Sequence, residues 1–456
     1  MDTFGQKTRE MLRRKSLSVR QKALTVGSIA LLAKLKYLER NDTPAVRDCD
    51  HEARSEEECR RSVVFLNNSY YNFYYLAAAL RRRGWDAISV SIEDPNGPNA
   101  AFYHGNDLSL HDADPMKMFG KLRGLLREIE RSYRMVHFYG KGHLSLFPSE
   151  FDTDGVIDRL PFDVLRLKRS GVKIGYSVCG CLDGVSQSAV HAWSGGCCDR
   201  CVWQHNPMVC NDRGNLAWGH KMHLLCDLIA TEGFPALDFQ AGEKVYREPL
   251  TTALDPEFWR PDIAIPKRFR FRRLPGELIV YHAVGNFETR AQNGKNLKGT
   301  ASVVSAIERL RSEGINVKLE FATGLPNAEV RFLQAQADII VDQLNYGRYG
   351  ATAREGMMLG KPTVCYINRK ERAGEAKLES IETCPLVSAD ESSIYAVLRE
   401  LLANEERRKE IGRAGRQFAL KWHSADSCAV RFEEAYDGLF VERSSELVRG
   451  GRSNRN

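Results

Sequence analysis

ADIIVDQLNYGRYGATAREGMMLGKP, running from Ala337 to Pro362, carries the strand-to-helix turn from which the architecture of the chain is read. Ile339, Ile340 and Val341 form a short apolar strand, and a polar, glycine-rich loop follows it into a helix over Thr352 to Leu359. Such a turn aims free backbone amides and the positive end of a helix dipole at an anion. Gly347 and Gly350 let backbone approach a ligand closely, and Glu355 falls in the first turns of the helix. A carboxylate there suits a pair of vicinal hydroxyls, such as those of a ribose, better than it suits a phosphate. A solvated glutamate on an ordinary helix is the alternative, and the surrounding glycines argue against it.

Outward from this turn, strands alternate with helices. In the C-terminal half, strands are expected at Leu278 to Tyr281, Val317 to Phe321, Ile339 to Val341 and Thr363 to Ile367. Helices are expected at Ser302 to Arg311, Thr352 to Leu359 and Ser392 to Ala403. The N-terminal half repeats the pattern, with strands at Val63 to Leu66, Ala87 to Val90, Met135 to Phe138 and Val172 to Val178. Its helices run over Tyr71 to Arg83, Met116 to Arg131 and Phe162 to Lys168. The alternation implies parallel βαβ units with right-handed crossovers. The fold class is α/β, with two Rossmann-like doubly wound domains facing a cleft, where ligands usually sit. The expected divisions are a basic segment and spacer at 1–60, an N-terminal domain at 61–255 and a proline-punctuated linker at 256–276. A C-terminal domain at 277–425, a return helix at 426–440 and a tail at 441–456 complete the chain.

The chain has 456 residues, a formal net charge of +7 and 43% hydrophobic residues, an ordinary globular composition. No run approaches the roughly 20 apolar residues of a membrane-spanning helix, so a soluble protein is expected. The excess charge sits at one end: residues 1–40 hold ten basic and three acidic side chains, leaving 56 of each for the remainder. A neutral body argues against a nucleic-acid partner, which needs a basic face. Met11, Leu12, Leu17, Leu24 and Ile29, interspersed with those cations, instead suit a helix at an anionic membrane surface. The segment has no small-residue cleavage site after a compact apolar stretch, so no signal peptide is expected.

Six of the twelve cysteines fall between Cys179 and Cys210. This clustering points to a reducing compartment and a metal. Cys198 and Cys201 form a C-x2-C knuckle, Cys210 follows, and Cys181 completes a four-thiolate structural zinc site, with Cys179, Cys197 or His205 as alternative ligands. The Cys-rich insert is placed at 179–220, and its polar stretch at 212–221 is expected either to line the acceptor side of the cleft or to be a solvent-exposed loop.

The run Glu355-Gly356-Met357-Met358-Leu359-Gly360-Lys361-Pro362 resembles the Glu-Ala-Met-Ala-x-Gly-x-Pro pattern of retaining glycosyltransferases of the GT-B fold, family 4. Asp342-Gln343-Leu344 with Tyr349-Gly350 is similar to members from bacterial surface-polysaccharide clusters, and Lys298-Gly299-Thr300 resembles the Lys-Gly that opens the first helix. The resemblance implies an enzyme that moves a sugar from a nucleotide-sugar cosubstrate to a lipid-linked or polysaccharide acceptor, with retention. It implies a cytoplasmic location, peripheral at the inner face of the cytoplasmic membrane. It assigns donor binding to Gly285, Asn286, Arg290, Lys298, Asp342, Tyr349, Gly350, Ala351, Thr352 and Glu355. Catalytic roles fall to Lys298, Glu355 and, from the N-terminal domain, His137, with His143 beside it. Gly347 stands where the pattern has a further glutamate, eight positions before Glu355. A non-catalytic nucleotide- or sugar-binding module on the same fold is the alternative.

Overall fold

The computed structural model describes residues 61–66, 70–97, 99–140, 142–147, 161–207, 209–232, 237–369 and 377–450, with side chains through 440. The basic segment at 1–60 lies outside the described residues, as does the end of the tail.

Continuous apolar runs covered on both faces by helices form two parallel sheets. The first holds β1 (Ser62–Leu66), β2 (Asp86–Ser91), β3 (Leu108–Ser109), β4 (Met135–Tyr139), β5 (Lys173–Ser177), β6 (Leu228–Ala230) and β7 (Val245–Tyr246), in the order β3-β2-β1-β4-β5-β6-β7. Val64 of β1 faces Ile88 on one side and Val136 on the other, and every residue of β1 is buried. The second holds β8 (Leu278–Ala283), β9 (Val317–Ala322), β10 (Ile339–Val341) and β11 (Thr363–Val364), in the order β11-β10-β8-β9. Strand order reverses between β1 and β4 in one sheet and between β8 and β10 in the other. Loops leaving the carboxyl ends of those strands diverge and open a crevice. The expected class, two doubly wound α/β lobes flanking a cleft, is the observed one.

Two expectations are corrected. The stretch at 179–220 contains the helical crossover that two parallel neighbours, β5 and β6, require. It folds as helices Gln187–Ser194 and Asp212–Leu225 with a short turn at Cys197–Arg200 between them. The polar residues at 212–221 are therefore helical rather than a loop: Asn211 caps the helix by accepting from Gly214 N, and Trp218, Met222 and Leu225 bury its inner face. The strand expected to reach Ile367 stops at Val364, because Tyr366 N turns to bond Gln343 O and Cys365 N bonds Val387 O.

The lobes share a core at their base. Trp259, fully buried in the segment joining them, packs against Tyr71 and Tyr75 of the first lobe at ring distances of 4.8 and 5.8 Å. Arg416 ties that segment to the second lobe through the carbonyls of Trp259, Pro256 and Met358. The helix Ala425–Gly450 then crosses back: Phe432 packs on Phe65, Tyr436 on Trp85, and Glu433 pairs with Arg61 and Arg83.

Candidate active site

A cavity of about 340 Å³ lies between the lobes. Gly285, Arg290, Lys298 and the run Tyr349 to Thr352 line it from the second lobe, and Tyr70, Tyr71, Phe102, Tyr139 and Glu232 line it from the first. Most of these follow the carboxyl ends of strands, as the strand order dictates.

The amide-rich wall is built by buried polar contacts. Thr300 and Val341 hold the ring of His282 on β8: Nδ1 donates to Val341 O at 3.0 Å, so the neutral ring's Nε2 accepts the Thr300 hydroxyl at 2.9 Å. Burial depresses this histidine to about 4. The contact pins the start of helix Thr300–Ser312 to the strand end. Gly299 before it has φ 71°, and a Cβ there would lie 2.9 Å from Leu344, so the Lys298-Gly299 pair is fixed by backbone conformation and by space.

Asp342 is fully buried and does not line the cavity. Its carboxylate pairs with Lys298 Nζ through Oδ1 and accepts Gly350 N at 2.8 Å through Oδ2. It therefore positions two groups expected at a diphosphate. Gly350 N-caps the helix Ala351–Met358, whose first residues, Ala351 and Thr352, turn their amide end to the cavity. Asn286, with φ 59°, caps the short helix Phe287–Arg290 and so brings Arg290 toward the cavity without lining it.

Glu355, 3% exposed, lines the cavity from this helix. Tyr71 Oη donates to its Oε1 at 2.7 Å, Asn327 Nδ2 to Oε1 at 3.0 Å and Gln334 Nε2 to Oε2 at 2.8 Å. Burial raises this carboxyl above the usual range, against the pull of those donors and of Arg354. A carboxylate offers about four lone-pair directions. Three donors leave room for one more hydroxyl on the cavity side.

His137 is not at this site. It is fully buried inside β4, with Nε2 2.8 Å from Ser177 Oγ and rings of Phe65, Phe73 and Phe432 around it. Burial lowers it to about 3. The physical reason is depth in the strand: His137 and Tyr139 share one face of β4, and Tyr139, at the carboxyl end, reaches the cavity while His137 lies two residues short of it. His143 bonds Phe147 O at 2.8 Å, also outside the cavity lining. Lys295, near Lys298 in sequence, donates to Gln204 Oε1 at 2.6 Å.

Gly347 explains its own departure from the pattern. Its φ is 82°, and a Cβ would lie 3.2 Å from both Asn368 and the ring of Trp193. The first lobe's Trp193 fills the space that a glutamate side chain at this position would cross.

The cysteines converge, but not as a cage. Cys181, Cys197, Cys198, Cys201 and Cys210 line a second cavity of about 360 Å³, which shares Arg290, Lys298 and Arg348 with the first. Among the described residues, no group of three or more His, Cys, Asp or Glu side chains is placed to hold a metal ion. The expected four-thiolate site of Cys181, Cys198, Cys201 and Cys210 is not found among the described residues, although all four line one cavity. Burial raises the thiols of Cys181, Cys201 and Cys210, the last to about 11, whereas the bond between Cys197 and Cys198 lowers Cys197 to about 7.

Tyr71, Asn327, Gln334, Glu232 and Arg354 were not reached by sequence reasoning. Glu232 follows β6, a three-residue strand too short to stand out, and Arg354 adjoins Glu355 on the same helix.

No family model matches the sequence, and no curated protein matches it. Among solved structures, a glycosyltransferase from Rickettsia africae ESF-5 aligns with a TM-score of 0.49 at 11% identity, covering 84% of this chain and 99% of that one. WaaG, a glycosyltransferase involved in lipopolysaccharide biosynthesis, aligns at 0.47 and 14%, covering 83% of this chain and 99% of its own. HepE of Anabaena in complex with UDP-glucose aligns at 0.48 and 11%, with coverage of 83% and 99%. At these scores the chemistry of the site rests on the residues of this chain.

Proposed function

We propose that this protein is a glycosyltransferase that uses a nucleotide-sugar donor and a glycan or lipid-linked acceptor. The observation that carries the reading is the shared wall of one cleft cavity. Lys298, Arg290 and the amide end of helix Ala351–Met358 offer positive charge, and Glu355 lies one turn further on as a hydroxyl acceptor. A nucleoside diphosphate needs both, at that separation in the helix.

In the transfer, the bond between the anomeric carbon and the diphosphate oxygen breaks, and the acceptor oxygen bonds to that carbon. With retention, which the family pattern favours, the acceptor's proton passes to the departing diphosphate. Developing negative charge on the leaving group is the main electrostatic demand, and fixed donors there are worth about 3 kcal/mol each, roughly a hundredfold in rate. The thiol-lined cavity adds no metal to this reading. The basic segment before residue 60 suits an acceptor held at the anionic inner face of the cytoplasmic membrane. No helix among the described residues is long and apolar enough to cross a membrane.

A mass-spectrometric screen of nucleotide sugars with extracted acceptor lipid tests the proposal. One donor is consumed by the wild type, and Lys298→Ala and Glu355→Ala lower its transfer by about a hundredfold or more. Binding of nucleotide without any donor consumption supports the binding-module alternative, and unchanged turnover by both folded variants rejects the site.

A further inference from the structure

Glu355 meets the first lobe by two routes. One is direct, through Tyr71. The other runs through Asn327, which lines the cleft cavity at the start of helix Asn327–Gln334 of the second lobe. Asn327 is held in turn by His104, a first-lobe residue between β2 and β3 that does not itself line the cavity. His104 Nε2 lies 2.6 Å from Asn327 Oδ1, and its Nδ1 lies 2.9 Å from Tyr75 Oη. Asn327 Nδ2 donates to Glu355 Oε1 at 3.0 Å. The protons along this chain follow from one another. Burial lowers His104 to about 4 against the pull of the Asn327 bond, so the ring is neutral near pH 7 and carries one N–H. An ionised carboxylate only accepts, so Asn327 turns its amide nitrogen to Glu355 and its oxygen to His104. Nε2 therefore carries the ring proton, and Nδ1 accepts the Tyr75 hydroxyl. The other tautomer would turn the amide round and set its oxygen against the carboxylate. Packing holds the ring in this pose: Trp259 stacks on it at 5.3 Å, with Tyr71 at 4.6 Å and Phe258 at 4.7 Å.

We propose that His104 is a positioning residue for nucleotide recognition: from the first lobe it fixes the Asn327 amide that orients Glu355 toward the vicinal hydroxyls of a ribose. Asn327 and Tyr71 both occupy Oε1, and Gln334 takes one lone pair of Oε2, so the direction left for a ligand hydroxyl is set by where those donors stand. With His104 gone, the Asn327 amide is free to turn, and the carboxylate loses one of the three groups that hold it. Both first-lobe routes need the lobes together, so the carboxylate is fully oriented only in the closed arrangement. A nucleoside diphosphate with an intact ribose diol is thus read jointly by the two lobes, although the carboxylate belongs to one. The proposal rests on reading Glu355 as the ribose acceptor, and its test separates the two.

Calorimetry on the full-length protein tests it. Among uridine, guanosine and adenosine diphosphates, the one that the wild type binds most tightly is compared with its 2′,3′-dideoxy counterpart. The wild type prefers the ribonucleotide by about tenfold or more, on the scale of one hydrogen bond to a charged group. His104→Phe keeps an aromatic ring among Tyr71, Phe258 and Trp259, and it narrows the preference to about threefold or less while dideoxy affinity stays within about twofold. His104→Gln, whose side-chain nitrogen donates from the place of Nε2, keeps the preference. Asn327→Ala loses it, and adding His104→Phe to that variant changes it no further. A merely structural role would instead lower the affinity for both nucleotides together. A preference present in the wild type and kept by His104→Phe, or lost to the same degree in His104→Gln, overturns the proposal alone. A wild type that binds none of these diphosphates, or binds one without regard to its ribose hydroxyls, overturns the reading of Glu355 and this inference with it.

Discussion

Tyr71 Oη and Glu355 Oε1, on opposite lobes, are joined by a 2.7 Å hydrogen bond. The tyrosine therefore supplies from the first lobe one of the hydroxyl contacts available to the carboxylate of the second, and the closed arrangement of the lobes is written into the site itself.

Breaking this bond should be measurable as a coupling. Tyr71→Phe removes one donor from a buried carboxylate, and a loss of about 1–3 kcal/mol in urea unfolding is expected. Glu355→Gln alone costs as much, because its amide nitrogen faces donors. In a double-mutant cycle the two losses fall short of additivity by about 0.5–3 kcal/mol. Strict additivity would show that the two groups do not interact in solution.

Replacing Gly347 by glutamate restores the family pattern on paper and should harm the protein. Left-handed backbone costs a residue with a Cβ about 1–2 kcal/mol, and the side chain meets Trp193 and Asn368. A lower melting temperature, with no gain in donor turnover, is the expected result. Higher turnover at unchanged stability would mean that Trp193 yields readily.

Acid should weaken the fold through its buried histidines. His137 and His282 are buried neutral, lowered to about 3 and about 4. Their stabilising effect is fully present above the unfolded-state value near 6.5 and is lost as pH falls toward the folded values. Each contributes a slope of about 1.4 kcal/mol per pH unit within that window. Glu355 acts in the opposite sense: its raised value gives stability at low pH that disappears as pH rises through the folded value. Urea midpoints should hold from pH 7.5 to about 6.5 and fall from there down to pH 5. A flat profile there would place both histidines in contact with water.

The architecture was legible because apolar runs such as Val63-Val64-Phe65-Leu66 announce fully covered strands, and all the expected strands are present. β6 was missed, since three apolar residues carry little periodicity, and Glu232 was missed with it. The amide-rich wall of the cleft cavity was legible because glycines mark where backbone must bend or approach, as at Gly299 and Gly350. His137 misled because only the last residue of the strand on its face, Tyr139, reaches the cavity, and sequence alone does not fix where the strand ends. The cysteines were legible in part: their spacing predicts proximity, and they line one cavity, but no group placed to hold a metal ion is found among the described residues. Partners drawn from afar, such as Tyr71 with Glu355, have no local signal at all.

The crossing of the final helix has a consequence for synthesis. Phe65 and Trp85 leave the ribosome well before Phe432 and Tyr436, the residues that cover them. The first lobe is thus left with open apolar patches throughout translation, and it closes only after the second has been made. Chaperone dependence in the nascent chain, and aggregation of any product that stops short of residue 425, follow from that ordering.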